Sequence, residues 1–497
     1  MYILSIDQGT TGTTAVLIET KSFTIVDKIN QEHEQIYPKS GYVEHNLNSI
    51  WESTQATITK ILNKNNIEPT SISSIGITNQ RETTCAFNKA GTPLANAIVW
   101  QDRRTESYCN ELKEQGHKKF IKELTGLPLD SYFSATKMRW LLDNNQAVIE
   151  ASKKDNLHFG TIDTYLLYKL TSGDSFHTDV TNASRTLLMS LDTLEWDDRL
   201  LKIFNISRQL LPSIKDSIGS FGFTRGLNFL PDGIPITGIL GDQQAALFGQ
   251  ACFEKGQSKC TYGTGAFMLL NTGSEKVYSN NGLLTTVAYK YNDKVMYALE
   301  GSSYIAGACV QWLRDNLNFF KSAHQIEDLA KSIENLDRVR DIYFMPFFTG
   351  IGSPYWISNA KAAILGLSRD SGKAEISRAA LEGIALSIND LLMAMKNDLG
   401  TEILSLKVDG GAVANNLLLE IQSNFSLIDI VRPNVIETTA YGAALAAAIG
   451  VGVTSISKLQ GIWSEDRTFH PETQDIDFIE YYHHKKQMWS VLLKKLY

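Results

Sequence analysis

Near the amino terminus the chain reads Asp7-Gln8-Gly9-Thr10-Thr11-Gly12, set between the largely apolar runs Ile3–Ile6 and Ala15–Ile18. Two strands joined by a short Gly/Thr turn suit a ligand with many acceptor oxygens. Glycine lets the backbone come close and take positive φ, and N–H groups and Thr hydroxyls then point at an anion. A carboxylate repels phosphate, so Asp7 suits a cation beside it, such as Mg2+. The pattern returns in the other half of the chain, where Tyr262-Gly263-Thr264-Gly265 leads into Ala266–Leu270. Gly/Thr turns also close ordinary hairpins. Two copies in corresponding halves point further, to a duplicated architecture with a nucleotide clamped between the halves. Arg81-Glu82 follows the apolar stretch Ile72–Thr78. Such a pair is either an exposed salt bridge of little worth or a fork for vicinal hydroxyls, Arg donating and Glu accepting. Asp242 lies between Gly241 and Gln243, where a strand gives way to a helix. It reads either as a helix N-cap or as a general base for a hydroxyl attacking a phosphoryl group. That transfer needs little beyond positioning and charge neutralisation.

The elements that carry these residues divide into two sets. A chain of 497 residues exceeds one core, and two domains are expected, 1–250 and 251–497, each α/β and similar to the other. In the first, strands are expected over residues 1–30, a helix over Leu47–Asn65, a strand over Ile72–Thr78 with Thr83–Phe87 pairing back onto it, and a strand over Ala97–Trp100. Helices follow from 103 to 172. The strand Ile236–Leu240 then opens the helix that ends at Gln250. In the second, strands over 259–271, 284–289 and 295–300 precede a helix from Ser303 to Asn316, helices over 375–398, and the strand Leu404–Val408 before Asp409-Gly410-Gly411. The terminal helix Phe478–Leu496 is expected to pack on its own half through Tyr481, Trp489, Leu492 and Leu493.

Composition narrows the function classes. Hydrophobic residues are 43%, charged residues 20% and the formal net charge −7, with no long basic run. This disfavours nucleic acid as a partner, and an anionic ligand must be held by local groups. Five scattered cysteines without a CxxC pair read as reduced thiols in a cytoplasmic protein. The nine histidines show no ligand spacing. The first residues form a strand rather than a signal peptide. The apolar stretch Thr438–Val453 is shorter than the ~20 residues that span a bilayer; rich in Ala and Gly, it reads as a helix packed closely on a sheet or ligand, and no membrane insertion is expected.

Taken together, the segments DQGTT (7–11), NQRET (79–83), IVWQDRRT (98–105), YFSATKMRWLL (132–142), GDQQAALFGQ (241–250), YGTGAFMLLNTG (262–273), ALEGSSYIAGACVQWLRD (298–315) and DGGAVANN (409–416) resemble the FGGY carbohydrate kinase family, in its glycerol-phosphorylating branch. The resemblance runs over essentially the whole chain. It implies two RNase H-like domains of the actin, Hsp70 and hexokinase type, with the active site in the cleft between them. It implies transfer from MgATP to glycerol, giving sn-glycerol 3-phosphate and ADP. Carried over to this sequence, Arg81, Glu82, Tyr132, Asp242 and Gln243 would hold glycerol, Trp100 and Phe267 would wall its carbons, and Asp242 would be the base for the 3-hydroxyl. Thr10, Thr11, Gly12 and Thr264 would contact phosphates, Gly307, Gln311, Gly411 and Asn415 would line the nucleotide site, and Asp7 would orient Mg2+ through water. A cleft that closes on a small triol excludes both larger sugars and water. Members are often dimers or tetramers, so a homo-oligomer is expected.

The chain departs from the family's pattern in two places. Position 14, usually basic, is Thr14, which removes one cation from the phosphate region. Some members are inhibited by fructose 1,6-bisphosphate at a Gly/Arg-rich loop, but Asn228–Ile234 contains no Arg; others are activated by histidine phosphorylation, but no His lies between His177 and His324. Neither control is expected. Two other readings are a kinase for another small polyol, triose or ketose, and a non-catalytic nucleotide switch of the actin type. The second would dispense with Asp242, Arg81 and Glu82, all of which are present.

Overall fold

Residues 2–32 run as three antiparallel strands, β1 (Tyr2–Gln8), β2 (Gly12–Glu19) and β3 (Ile25–Glu32). The computed structural model describes residues 1–497. β1 and β2 are buried on both faces, while β3 alternates half-buried and exposed residues as the edge of the sheet. Helix α1 (Leu47–Lys64) covers one face and is capped by Asn46, whose side chain accepts the Asn48 and Ser49 N–H groups. Strand β4 (Ile72–Asn79) then pairs parallel with β1. After a largely helical segment the chain returns through β5 (Ile218–Phe223) and β6 (Pro235–Gly241), with β6 parallel to β4. The order is β5-β6-β4-β1-β2-β3.

The second half repeats this plan. The hairpin β7 (Ser258–Tyr262) and β8 (Ala266–Gly273) is followed by β9 (Leu284–Tyr291) and β10 (Lys294–Ser303). Strands β11 (Ser405–Asp409) and β12 (Asp429–Pro433) add in parallel beside β7, and β13 (Glu465–Phe469) closes the edge antiparallel. The order is β9-β10-β8-β7-β11-β12-β13. Without the extra edge strand β9, the sheets match strand for strand, each with three antiparallel strands, two parallel additions and an antiparallel edge.

The sheets are joined through their backs. Helices α2 (Asp242–Gly249), α3 (Gly307–Asp315), α4 (Lys373–Leu399), α5 (Thr438–Gly450) and α6 (Ile476–Leu496) carry most of the packing described below. Helix α5, from the second half, shares one apolar cluster with α2 and with Ile3, Val16 and Leu240 of the first sheet and Leu269 and Ala298 of the second. Its approach is backbone to backbone. A Cβ on Gly442 would lie 1.8 Å from the Ala245 carbonyl oxygen, and one on Gly76 of β4 would lie 2.3 Å from that of Ala443. Nothing but glycine fits either position. Gly442→Ala is therefore expected to cost about 3 kcal/mol, the upper end for overpacking, read as a lower denaturant midpoint at unchanged slope. Helix α6 lies in the core of the second half beside α4, burying Tyr481, Tyr482, Trp489 and Leu493. No helix is long and apolar enough to cross a membrane. All five cysteines are unpaired and buried.

Three sequence expectations are corrected. Thr83–Phe87 does not pair back onto β4: the chain turns sharply at Glu82, and Cys85–Phe87 pairs instead with His158–Gly160. Only Ala97–Ile98 of the expected strand Ala97–Trp100 is extended and paired, against Glu44–His45; Trp100 leaves it for the cavity described below. The helix expected from Ser303 starts at Gly307, because β10 runs through Ser303.

Candidate active site

The parallel strands deliver their carboxyl ends to one rim. In register, Gln8 of β1 stands beside Asn79 of β4, and Asn79 beside Gly241 of β6. The segments that follow therefore meet: the Gly9–Gly12 turn, Gln80-Arg81-Glu82, and Asp242 at the start of α2. The carboxyl ends of parallel strands are the usual ligand edge of such sheets. At Glu82 the backbone is left-handed, with φ 61°, and Thr83 N–H donates to the Arg81 carbonyl at 2.7 Å. This is a γ-turn of the rare positive-φ kind, held by its buried surroundings, and it aims Glu82 inward.

Arg81, Glu82, Trp100, Tyr132, Asp242, Gln243 and Phe267 line one cavity of about 310 Å3, together with Thr10, Thr11 and Thr264. Trp100 stands edge-on to Tyr132 and Phe267, with ring centroids 5.6 and 6.2 Å away. A second cavity of about 450 Å3 is lined by Gly307, Gln311, Gly411 and Asn415 and by apolar residues including Val310, Leu381 and Leu418. Gly263 and Thr264 line both cavities, so the second hairpin stands between them. Largely apolar walls with a few polar groups suit a base and ribose. Gly411 has no atom within 4 Å of where a Cβ would be; the missing side chain leaves the cavity open. Asn415 Oδ1 caps the following helix by accepting Leu418 N–H at 2.9 Å, which leaves its amide nitrogen for a ligand.

Two predicted residues lie outside both linings. Gly12 is buried against β3, where a Cβ would meet the Gln31 carbonyl oxygen at 2.8 Å. The Asp7 backbone pairs in β1 with Thr14 and Thr78, while its half-buried carboxylate has no hydrogen bond or ion pair within the chain. The turn glycines also differ from expectation. Gly9, Gly12, Gly263 and Gly265 all keep φ outside the left-handed region; Gly12 and Gly265 are required by close approach instead.

Arg81 and Glu82 are not a surface pair. Arg81 is bidentate to Glu300, Nη1 to Oε2 at 2.6 Å and Nη2 to Oε1 at 2.8 Å, and Nη1 also donates to Gln244 Oε1 at 3.0 Å. Arg185 donates from Nε to Glu82 Oε1 at 2.5 Å and from Nη2 to Glu300 Oε1 at 3.1 Å. Side chains of all four are at most 2% exposed, whereas that of Asp242 is 29% exposed. Arg81 Nε lies 3.0 Å from Asp242 Oδ1 but has no aligned acceptor, which leaves an unspent donor at the cavity wall. Burial raises Glu82 above the usual carboxylate range despite Arg185 and Arg81. Burial also opposes ionisation of Glu300, yet Arg185 and Arg81 hold it down at about 2. Sequence reasoning missed Arg185 and Glu300; both come from segments remote from Arg81, and although Glu300 lies in the quoted segment 298–315 nothing local singles it out.

Gln243 is oriented from behind. Lys259, fully buried on β7, donates from Nζ to Gln243 Oε1 at 2.5 Å and to Thr261 Oγ1 at 2.8 Å. The amide oxygen is thus committed, and Gln243 presents its NH2 to the cavity as a donor. Thr14 accepts from Asn30 Nδ2 at 2.8 Å, and no lysine lines either cavity.

Residues 2–249 match the N-terminal domain of the FGGY family of carbohydrate kinases and residues 258–451 its C-terminal domain. The chain belongs to this family. This FGGY kinase is 47% identical over 483 residues to a glycerol kinase of Staphylococcus haemolyticus, covering 97% of this chain and 96% of the relative. It is 48% identical over 475 residues to a glycerol kinase of Myxococcus xanthus, covering 95% of each. Among solved structures it resembles Plasmodium falciparum glycerol kinase with ADP, with a TM-score of 0.90, 36% identity, and coverage of 100% of this chain and 98% of that one. A gluconate kinase from Lactobacillus acidophilus, 21% identical, shares the fold with a TM-score of 0.87. The two-lobed α/β architecture expected from the sequence is therefore the fold of this FGGY kinase.

Proposed function

We propose that this FGGY kinase transfers the terminal phosphoryl group of ATP to glycerol, giving sn-glycerol 3-phosphate and ADP, as a cytoplasmic enzyme of two lobes divided near residue 250. One observation carries the reading: a small cavity with a charged floor and aromatic walls meets a nucleotide-sized cavity at a shared Gly/Thr hairpin. The glycerol kinase relatives support the choice of alcohol.

In this reading Arg81, Glu82, Tyr132 and Gln243 hold the hydroxyls. Gln243 donates, Glu82, whose Oε1 already accepts from Arg185, offers its other carboxyl oxygen, and Arg81 offers Nε. A triol, whose hydroxyls both donate and accept, satisfies all three. Trp100 and Phe267 cover its carbons and keep water from the reacting oxygen. Asp242, the least buried acid of the group, takes the proton of the attacking 3-hydroxyl. Thr10, Thr11 and Thr264 meet the phosphates with hydroxyls and N–H groups, Gly12 gives the first turn its close fit, and Gly307, Gln311, Gly411 and Asn415 line the nucleotide site. No lysine lines either cavity, Arg314 lines the nucleotide cavity, and a metal ion would supply further neutralisation at the phosphates.

Asp7 fits Mg2+. It has no partner of its own, and burial with the neighbouring carboxylates of Asp242 and Glu437 pushes it up to about 8. Mg2+ takes one or two carboxylates and otherwise binds phosphate and water, a demand that one carboxylate near the phosphates can meet. Bound there, Mg2+ would supply positive charge to the phosphate oxygens. A proton on Asp7 competes with the ion, so Mg2+ affinity in the presence of ADP should rise on the order of tenfold from pH 6.5 to 8 and then level off. Calorimetric Mg2+ titrations at both pH values test this; Asp7→Asn should bind more weakly and without the pH dependence.

The reading as a whole is tested with glycerol, erythritol, dihydroxyacetone and xylulose in an ADP-release assay. Glycerol is expected to give the highest kcat/KM by at least about tenfold, since each unmatched buried polar group costs about 1–3 kcal/mol. A preference for another member of the panel would refute glycerol as the substrate.

A further inference from the structure

The carbonyls of the first phosphate hairpin are not left to water. Gly9 O accepts from Gln8 Nε2 at 2.8 Å and Gln80 Nε2 at 3.2 Å, and Thr10 O accepts from Gln35 Nε2 at 2.8 Å. Behind Gln35 stands His45, fully buried, with Nε2 2.7 Å from Gln35 Oε1 and Nδ1 3.2 Å from Gln80 Nε2. Gln80 Oε1 accepts from Thr83 Oγ1 at 2.9 Å, on the far side of the Arg81–Glu82 turn.

The directions of these bonds are fixed by elimination. Reversing the Gln35 amide would set its oxygen against the Thr10 carbonyl, so Gln35 Oε1 must face His45. His45 Nε2 therefore carries the proton, and Nδ1 is left as an acceptor facing the Gln80 amide, whose two protons are shared among Nδ1, Gln8 Oε1 at 3.0 Å and Gly9 O. A doubly protonated ring would turn a second N–H against the Gln80 amide nitrogen. Burial, with His33 beside it, holds His45 down at about 3, in keeping with a ring that stays neutral. With both carbonyls taken from behind, the Thr10 and Thr11 N–H groups find no acceptor in the chain. Thr10 Oγ1 accepts from Trp100 Nε1 at 2.9 Å, so its own proton is free to turn to a ligand.

We infer that neutral His45, in its Nε2–H tautomer, is a positioning residue: through Gln35 and Gln80 it holds the Gly9–Gly12 turn with its donors facing the nucleotide phosphates, and ties that turn to the Arg81–Glu82 segment. Resting on the kinase reading above, the inference adds a residue that touches neither substrate. His45→Phe keeps the volume and removes both bonds; His45→Gln keeps one donor and one acceptor. MgADP and glycerol dissociation constants are measured by calorimetry for the wild-type protein and both variants. His45→Phe should weaken MgADP about tenfold, the upper range for one lost neutral hydrogen bond, and leave glycerol within about twofold, while His45→Gln recovers most of the loss. Unchanged MgADP affinity in His45→Phe, equal weakening of both ligands, or a His45→Gln variant no better than His45→Phe would each overturn the inference. Gln35→Glu carries the same test if His45→Phe does not fold. It keeps the acceptor for His45 but sets an oxygen against Thr10 O, so MgADP should again weaken about tenfold, and unchanged affinity refutes the relay. A wild-type protein that binds neither ligand would sink the kinase reading itself; one that binds both, with variants that bind equally well, sinks the relay alone.

Discussion

Asp242→Asn is expected to lower kcat by about 10^3-fold, within the range for a positioned general base, while MgATP and glycerol still bind. The side chain sits at the mouth of the buried charge network. Its Oδ1 accepts Gln243 N–H at 2.7 Å and lies beside Arg81 Nε, so the carboxylate is held at the lining of the cavity it shares with Arg81 and Gln243. Asn keeps the shape and the contact to Gln243 and removes the proton acceptor. The loss should therefore fall on turnover, and calorimetry should find both dissociation constants within about tenfold of the wild-type values. A variant that turns over at more than about a tenth of the wild-type rate would remove Asp242 from the chemistry.

Glu300→Gln is expected to cost about 3 kcal/mol of stability, because it removes the carboxylate charge that two buried guanidinium groups share. Glu300 is the hub of the network: both its oxygens bind Arg81, and Oε1 also takes Arg185. The pair need not stabilise the fold relative to an apolar core. Its effect is to fix Arg81, from the first sheet, against β10 of the second. Glycerol affinity should fall with stability. The pH behaviour has a definite sign. The native carboxyl is held at about 2, below the ordinary 4.5. Its contribution is therefore complete above about pH 4.5 and lost as pH falls toward 2. Urea titrations between pH 7 and 3 should show wild type losing stability on that limb and Glu300→Gln losing less of it. Wild-type stability and unaltered glycerol binding in the variant would mean that the ion pairs are dispensable.

The main strands that position this site were legible in the sequence; the turn at Glu82 and the electrostatics were not. Both Gly/Thr hairpins follow from local pattern: short apolar runs either side of Gly and Thr, with β1–β2 and β7–β8 in tight register. Helix α5 followed from a run of Ala and Gly that only a close backbone contact would use. The strand proposed at Thr83–Phe87 failed because periodicity cannot see the left-handed turn at Glu82, which tertiary packing imposes. The reason for the hairpin glycines was likewise tertiary: Gly12 is needed by a neighbouring strand, not by its own φ. Arg81 and Glu82 read as one fork, but each is paired to a partner outside its own segment, Arg81 to Glu300 and Glu82 to Arg185. Partners that far away in sequence leave no periodic trace. His45 and Gln35 were silent for the same reason, since their chemistry lies in what the fold sets opposite them.

The central claim is that two lobes aim the terminal phosphoryl group of a bound nucleotide at an alcohol deprotonated by Asp242. The most direct measurement is a 31P spectrum of the purified protein incubated with MgATP and glycerol. The account predicts that the ATP γ resonance is replaced by a phosphomonoester of glycerol in amounts equal to the ADP formed, and that Asp242→Asn forms almost none. Release of inorganic phosphate without the ester, or no consumption of ATP by a protein that binds both ligands, would contradict it.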